Sequence, residues 1–277
     1  MLVNLLTDAP NHNLALMKIS AYHKSLGDTV LLNDSSAKPD IRYGSWLFNR
    51  LQDSDVEGGS AVDCTVQLPP EMDTLEPDYD LFGCDYSLGY TWRDCPRSCS
   101  FCVVPKLPKT GKHQSIWTFH NRKFNKICLL NNNTFSDPDW EDTFEEIWDA
   151  RLTVLEHGFD LRYLDDPKVI ALKRTKFDRQ IHFAWDDIRD EQQVREGLEL
   201  LRLYKMRGMV YVLIGYNSSI EEDLYRCQVV NDYKFDPYPM PYNGGTKENR
   251  AFKRFICLRA YRKYKSLSEA WQNYNRK

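Results

Sequence analysis

The sequence predicts an α/β fold, a partial (β/α)6, TIM-like barrel preceded by a small β-α-β unit. Three observations carry that expectation. From residue 86 onward short apolar segments alternate with amphipathic helical ones, the pattern of parallel β-α units. Residues 209–215, MVYVLIG, are nearly all apolar, as a strand buried on both faces should be. A loop holding Gly58, Gly59, Pro69, Pro70 and Pro77 separates the barrel-like stretch from what precedes it. The expected regions are 1–78, 79–245 and 246–277.

Taken in order, residues 2–6 read as a short apolar strand, 13–26 as a helix closed by Gly27, 29–32 as a second strand and 41–48 as a third. After the loop, 86–91 is the first barrel strand and leads straight into a cysteine-rich segment. Residues 126–130 form the second. A helix over 139–157 follows, with Phe144, Ile147, Trp148 and Leu155 along one face and Gly158 at its end. Residues 161–164 are the third strand, and Asp166 with Pro167 starts the next helix. Residues 181–185 are the fourth strand, with a helix running to Arg207 and closed by Gly208. Residues 209–215 are the fifth, Ser219 and Glu222 make a capping box for the helix after it, and 237–241 are the sixth.

With 277 residues, 42% hydrophobic and 28% charged, the chain has the length and composition of a soluble enzyme. The start, MLVNLLTDAPNHN, has no basic leader, and no stretch approaches the roughly 18 apolar residues of a membrane span. A cytoplasmic protein with no membrane partner is expected. The net charge of −3 hides an asymmetry. From Lys247 to Lys277 ten Lys or Arg stand against Glu248 and Glu269, whereas the remaining 246 residues hold 27 bases and 38 acids. Phe252, Phe255, Ile256 and residues 258–261 recur at helical spacing, so this tail reads as one amphipathic helix with a basic outer face. Such a face is either simply solvated or, through Arg250, Lys253, Arg254, Arg259 and Arg262, meets a nucleic acid by counterion release and base stacking.

The run CPRSCSFC places Cys95, Cys99 and Cys102 at C-x3-C-x2-C spacing with Phe101 before the last cysteine. Three thiolates on one short loop can hold three irons of a 4Fe-4S cluster and leave the fourth open. Zinc would want a fourth ligand in a second knuckle, and the nearest thiol, Cys84, lies eleven residues upstream without one. A disulfide scaffold fits a short, cysteine-dense chain, and this one spreads eight cysteines irregularly over its length. A zinc-stabilised nucleic-acid-binding module is the reading from another function class.

The cysteine segment resembles the signature loop of the radical S-adenosylmethionine (radical SAM) superfamily, C-x3-C-x-aromatic-C. The resemblance covers roughly residues 85–242. It implies the barrel above, a 4Fe-4S cluster on Cys95, Cys99 and Cys102, SAM as second cofactor, and a reducing electron donor such as flavodoxin or ferredoxin. It implies reductive cleavage of SAM to a 5′-deoxyadenosyl radical that abstracts hydrogen from a substrate, with a nucleic acid as one candidate through the tail. Phe101 would lie against adenine, unless it simply packs in the core. Where family members carry Gly-Gly-Glu after the second strand, this chain has LLNNNTF, whose Asn131, Asn132 and Asn133 offer amide oxygens to the SAM ammonium. Asp186 or Asp187, in HFAWDD, would hold the ribose hydroxyls, the alternative for Asp187 being a helix N-cap. Ile214 would meet adenine, Gly215 would allow close backbone approach, and Met240 of the sixth strand joins the cofactor set. Tyr163, Asp165, His182, Asp186 and Tyr216 are expected near C-terminal strand ends, where barrels keep their active sites.

The N-terminal unit together with CPRSCSFCVVP is similar to radical SAM enzymes that carry a Rossmann-like cobalamin-binding domain, and to methylthiotransferases. It has no Asp-x-His-x-x-Gly motif to ligate cobalt, so cobalamin is not expected and a cobalamin-dependent methylase is the alternative reaction. Only Cys64 and Cys84 precede the signature loop, short of the three cysteines a second cluster needs. The whole pattern is closest to small radical SAM proteins of phage and bacterial genomes whose substrates are unassigned.

Overall fold

A computed structural model of the chain describes residues 1–155 and 158–275. It is a mixed α/β structure with parallel sheets and, among the described residues, eight α-helices. It divides into two compact units, Met1–Asn132 with Asp139–Val154, and Asn133–Pro138 with Leu155–Lys277. This division does not coincide with the three sequence regions, since the first unit holds all of 1–78 and the start of 79–245.

The first unit opens with β1 (Leu2–Leu6), α1 (Leu14–Ser25), β2 (Thr29–Leu32), β3 (Ile41–Ser45) and β4 (Val56–Gly58), whose sheet runs β2-β1-β3-β4. All three pairings are parallel, with Val3 opposite Val30 and Ile41 and with Tyr43 opposite Val56. β1 lies in the middle, and its Val3 and Leu5 are fully buried. Asn13 caps α1 by accepting the Leu16 N–H, which is why the helix begins there. β4 lies inside the stretch read as a linker. Three residues with a central Glu57 carry no periodicity, and the pairing with β3 alone makes them a strand. After α2 (Pro70–Asp73), strands β5 (Ser87–Gly89), β6 (Lys126–Leu129) and β7 (Thr153–Leu155) neighbour one another in that order.

The helix expected over 139–157 is shorter. It is α3, Trp140–Asp149, followed by β7; Arg151, at φ 55°, turns the chain between them. The β-branched Thr153 and Val154 are buried in the strand, where such side chains pack well, and His157 lies outside the described residues.

In the second unit β8 (Phe159–Asp160), α4 (Asp166–Arg174), β9 (Lys176–Phe177), β10 (His182–Trp185), α5 (Glu191–Leu203), β11 (Met209–Ile214), α6 (Ile220–Asp232) and β12 (Asp236–Pro241) follow, with a parallel sheet ordered β12-β11-β10-β8. Residues 161–164, expected as a strand, instead begin with a 3-10 turn, Leu161–Tyr163. The Asp160 carboxylate accepts the Arg162 N–H and so competes with a ladder for the backbone. Ser219 and Glu222 do form the capping box of α6. Pro237, Pro239 and Pro241 are tolerated because β12 is an edge strand.

The tail is two helices, α7 (Lys247–Cys257) and α8 (Leu267–Asn275), and not one. Arg259, at φ 54°, breaks the run, and Phe252 and Phe255 meet Trp271 at 5.3 and 5.2 Å between ring centroids. Several of its bases serve internal partners. Arg259 and Arg262 both pair with Asp236 at 2.7 Å, Arg250 donates to the Gly244 and Gly245 carbonyls, and the Lys253 ammonium lies 4.7 Å from the Tyr238 ring centroid. Lys247, Arg254, Lys263 and Lys265 are exposed, and Arg276 and Lys277 lie outside the described residues. No helix among the described residues is long and apolar enough to cross a membrane.

Candidate metal centre and cofactor-binding residues

In the first unit, β5 ends at Gly89 and the cysteine loop follows at once. Two side chains fasten it. Asn131, just past β6, accepts the backbone N–H groups of Thr91 and Trp92 at 2.9 and 3.1 Å and donates to the Thr91 hydroxyl at 2.9 Å. Asp94, next to Cys95 and buried, accepts the N–H groups of Thr110 and Gly111 at 2.9 and 2.6 Å, while the Gln114 N–H returns to the Thr91 carbonyl. A long loop is thereby closed on itself, with its cysteines held between two anchored ends.

Cys95, Cys99 and Cys102 are cysteine thiols outside any disulfide, each half-buried. The Cys102 N–H donates to the Cys99 carbonyl in a tight turn, and the Val104 N–H donates to the Cys102 sulfur at 3.4 Å. A backbone donor on a sulfur stabilises the thiolate form that ligates metal. The donor set therefore fits an iron-sulfur cluster in kind and number. Among the described residues no three His, Cys, Asp or Glu side chains already converge on a common point. Phe101 is half-buried and stands outside the buried core.

The three asparagines differ in what they have left to offer. The Asn131 oxygen is spent on two backbone N–H groups. Asn132 is exposed and donates its amide nitrogen to the Arg93 carbonyl, which orients the side chain and leaves its oxygen uncommitted. Asn133, in the second unit, is buried and donates to Asp160.

The other candidates lie in the second unit. Asp187 caps the 3-10 turn Ile188–Asp190, accepting the Arg189 N–H at 2.9 Å, and grips the Arg189 side chain as well. The N-cap alternative describes it. Arg189's hydrogen bond holds its carboxyl below the usual range. Asp186 differs in every respect. Its carboxylate makes no hydrogen bond or ion pair to a described residue. Burial pushes it up to about 6, opposed by the guanidinium groups of Arg162 and Arg226 and assisted by Asp160 and Asp190. Arg162 is itself clamped between Asp160, at 2.7 Å, and Asp190.

A sequence reading gives no sign of what holds these strand ends together. Arg226 and Asp223 of α6 form a buried ion pair at 2.6 Å, each side chain 1% exposed. Arg226 also donates to the carbonyls of Trp185, Asp186 and Leu213, and Asp223 accepts the Gly215 N–H at 3.2 Å. The pair thus ties the ends of β10 and β11. Gly215 sits at φ 70°, and a Cβ there would meet Asn249 at 2.7 Å, so the position needs glycine. Ile214 is fully buried with Val210 and Val212 on one face of β11, whereas Met240 is 42% exposed. His182 begins β10 instead of ending it and stacks on Tyr211 at 5.0 Å, so it is not at a C-terminal strand end. Asp165 caps α4 and pairs with Lys168; Tyr163 closes the 3-10 turn, and Tyr216 packs on Tyr242.

Asp186 has a measurable cost. The folded chain holds its proton more tightly than the unfolded chain does. The resulting penalty is absent below about pH 4, grows as pH rises toward 6 and is complete above it. Asp186→Asn is expected to be more stable than the parent by on the order of 1–3 kcal/mol at about pH 7.5 and equally stable near pH 4, measured by urea unfolding. The same difference at both pH values would mean a solvated carboxyl. Compared with known proteins, the chain matches no family model and no curated protein.

Proposed function

We propose that the chain is a radical SAM enzyme built on a partial (β/α)6 barrel, with Cys95, Cys99 and Cys102 as the ligands of a 4Fe-4S cluster. The observation that carries this reading is the C-x3-C-x2-C loop itself, three cysteines that follow a parallel strand on a loop fastened at both ends by Asn131 and Asp94. When bound, such a cluster supplies the electron that splits SAM into methionine and a hydrogen-abstracting 5′-deoxyadenosyl radical. The protein's own work is to bind and orient. Asn132, with its oxygen uncommitted, is the acceptor for the SAM ammonium. For the ribose hydroxyls, Asp186 is the aspartate with a carboxylate left to offer. Asp187 is committed to its cap and has no such role. A buried carboxylate with no hydrogen bond or ion pair among the described residues, kept at a cost in stability, is the pattern of a binding group.

Anaerobic reconstitution with iron and sulfide tests the class. About four irons and as many sulfides per chain are expected. Tightly held zinc without sulfide would refute the reading. For the cofactor, Asp186→Asn should weaken SAM binding by roughly 1–3 kcal/mol and leave the cluster spectrum unchanged, while Asp187→Asn should leave SAM affinity as it was. The reverse order of the two variants would move the ribose contact to Asp187.

A further inference from the structure

A cavity of about 210 Å³ lies in the first unit, between Leu14 and Lys18 of α1, Asp73 of α2, and Tyr90, Arg93 and Phe119, with none of the three cysteines in its lining. Its charges do not balance. Lys18, only 6% exposed, places its ammonium on the Asp73 side chain at 3.0 Å and on the Asp73 carbonyl. Arg93 donates to the same Asp73 oxygen, Oδ1, at 2.8 Å. Two cations therefore share one oxygen of one carboxylate. Of the three N–H donors of Lys18 and the five of Arg93, three contacts to Asp73 are made. The Arg93 Nε is buried with no acceptor. Burial pulls the Lys18 ammonium below its ordinary value, with Arg93 adding to the effect and Asp73 opposing it. Burial pushes Asp73 up, but Arg93 and Lys18 outweigh it and hold the carboxyl below the usual range.

Leaving surplus positive charge and unreceived donors in a partly desolvated cavity is costly, and an anion would remove both costs at once. Leu14, Tyr90 and Phe119 add apolar surface to a lining that also holds Thr74, Gln114 and Thr118. The Phe119 ring lies so close on Gly89 that a Cβ there would meet it at 2.3 Å, and Arg93 covers the Tyr90 ring at 5.0 Å. A cavity of roughly 150 Å³ takes a benzene ring, so this one has room for a ring and an acidic head.

We propose that this cavity, lined by the first residues of the cysteine loop but by none of its cysteines, is a second ligand site for a small organic acid whose oxyanion sits on Lys18 and Arg93 and whose apolar part packs on Leu14, Tyr90 and Phe119. The site stands whether or not the cysteines hold a cluster.

Calorimetric titration of the full chain with phenyl phosphate, benzoate and inorganic phosphate, at constant ionic strength, tests it. Saturable binding of one phenyl phosphate or benzoate per chain is expected, tighter than inorganic phosphate by several-fold because of the ring; the better of the two organic probes identifies the head group. Lys18→Met and Arg93→Gln should each weaken it at least about tenfold. Leu14→Trp, at a half-buried position, keeps both cations and should block the cavity, so it decides the matter if a charge variant fails to fold. Cys99→Ala should bind the probe like the parent, which separates this site from the proposed cluster. No saturable binding of either organic probe, equal affinity in the parent and the folded variants, or competition by SAM would overturn the proposal.

Discussion

Cys99→Ala is expected to lose the iron-sulfur cluster altogether, whereas Cys84→Ala keeps about four irons per chain. The contrast rests on what surrounds each sulfur. Only a thiolate ligates metal, so a thiol held in its protonated form is a poor ligand. Burial pushes the Cys84 thiol up, and Cys84 already donates to the Asn11 carbonyl at 3.2 Å. Burial likewise raises Cys227, which is fully buried, and Cys257. The triad sits instead on a loop with its own backbone donor, the Val104 N–H on Cys102. With three protein ligands, removing one leaves too few bonds to hold the cube. Iron and sulfide analysis after anaerobic reconstitution is the measurement. If Cys84→Ala also loses its metal, the site has four thiols, and a zinc module replaces the enzyme as the better reading.

Arg226→Met should destabilise the chain by about 3–5 kcal/mol, because it leaves the Asp223 carboxylate buried without its cation. The loss is larger than for an exposed pair, since Arg226 also satisfies the Trp185, Asp186 and Leu213 carbonyls. Arg226→Lys should recover little, because a single ammonium cannot point along the directions that a planar fork reaches. The double variant Asp223→Asn with Arg226→Met should cost less than the two single changes added together, since no unpaired charge remains. Urea unfolding of the four chains measures this, and strict additivity would show that the two groups are not coupled. Because the pair ties the ends of β10 and β11, the same change should also loosen the setting of Asp186 and Gly215.

What could be read from the chain alone was whatever is decided within a few residues. The capping box of Ser219 and Glu222, the helix start at Asn13, the strands β10, β11 and β12 and the cysteine triad all depend on contacts between residues at most four apart or on a repeating pattern. The misreadings are equally physical. Residues 161–164 are apolar enough for a strand, but the Asp160 side chain takes the Arg162 N–H. Residues 139–157 keep a helical pattern that Arg151 interrupts by a backbone turn no periodicity reveals.

The sequence by itself determined the alternation of β and α elements, the cysteine loop and the pair of aspartates after β10. Tertiary structure decided that Asp186 is the buried one of the two, because burial and the neighbouring Arg162 and Arg226 come from segments distant in the chain. It also decided that Asp73 is shared by Lys18, 55 residues before it, and Arg93, 20 residues after it. Local propensity acts through neighbours along the chain, whereas charge balance and desolvation depend on every segment that folding brings near, and these choose among residues that the sequence leaves equivalent.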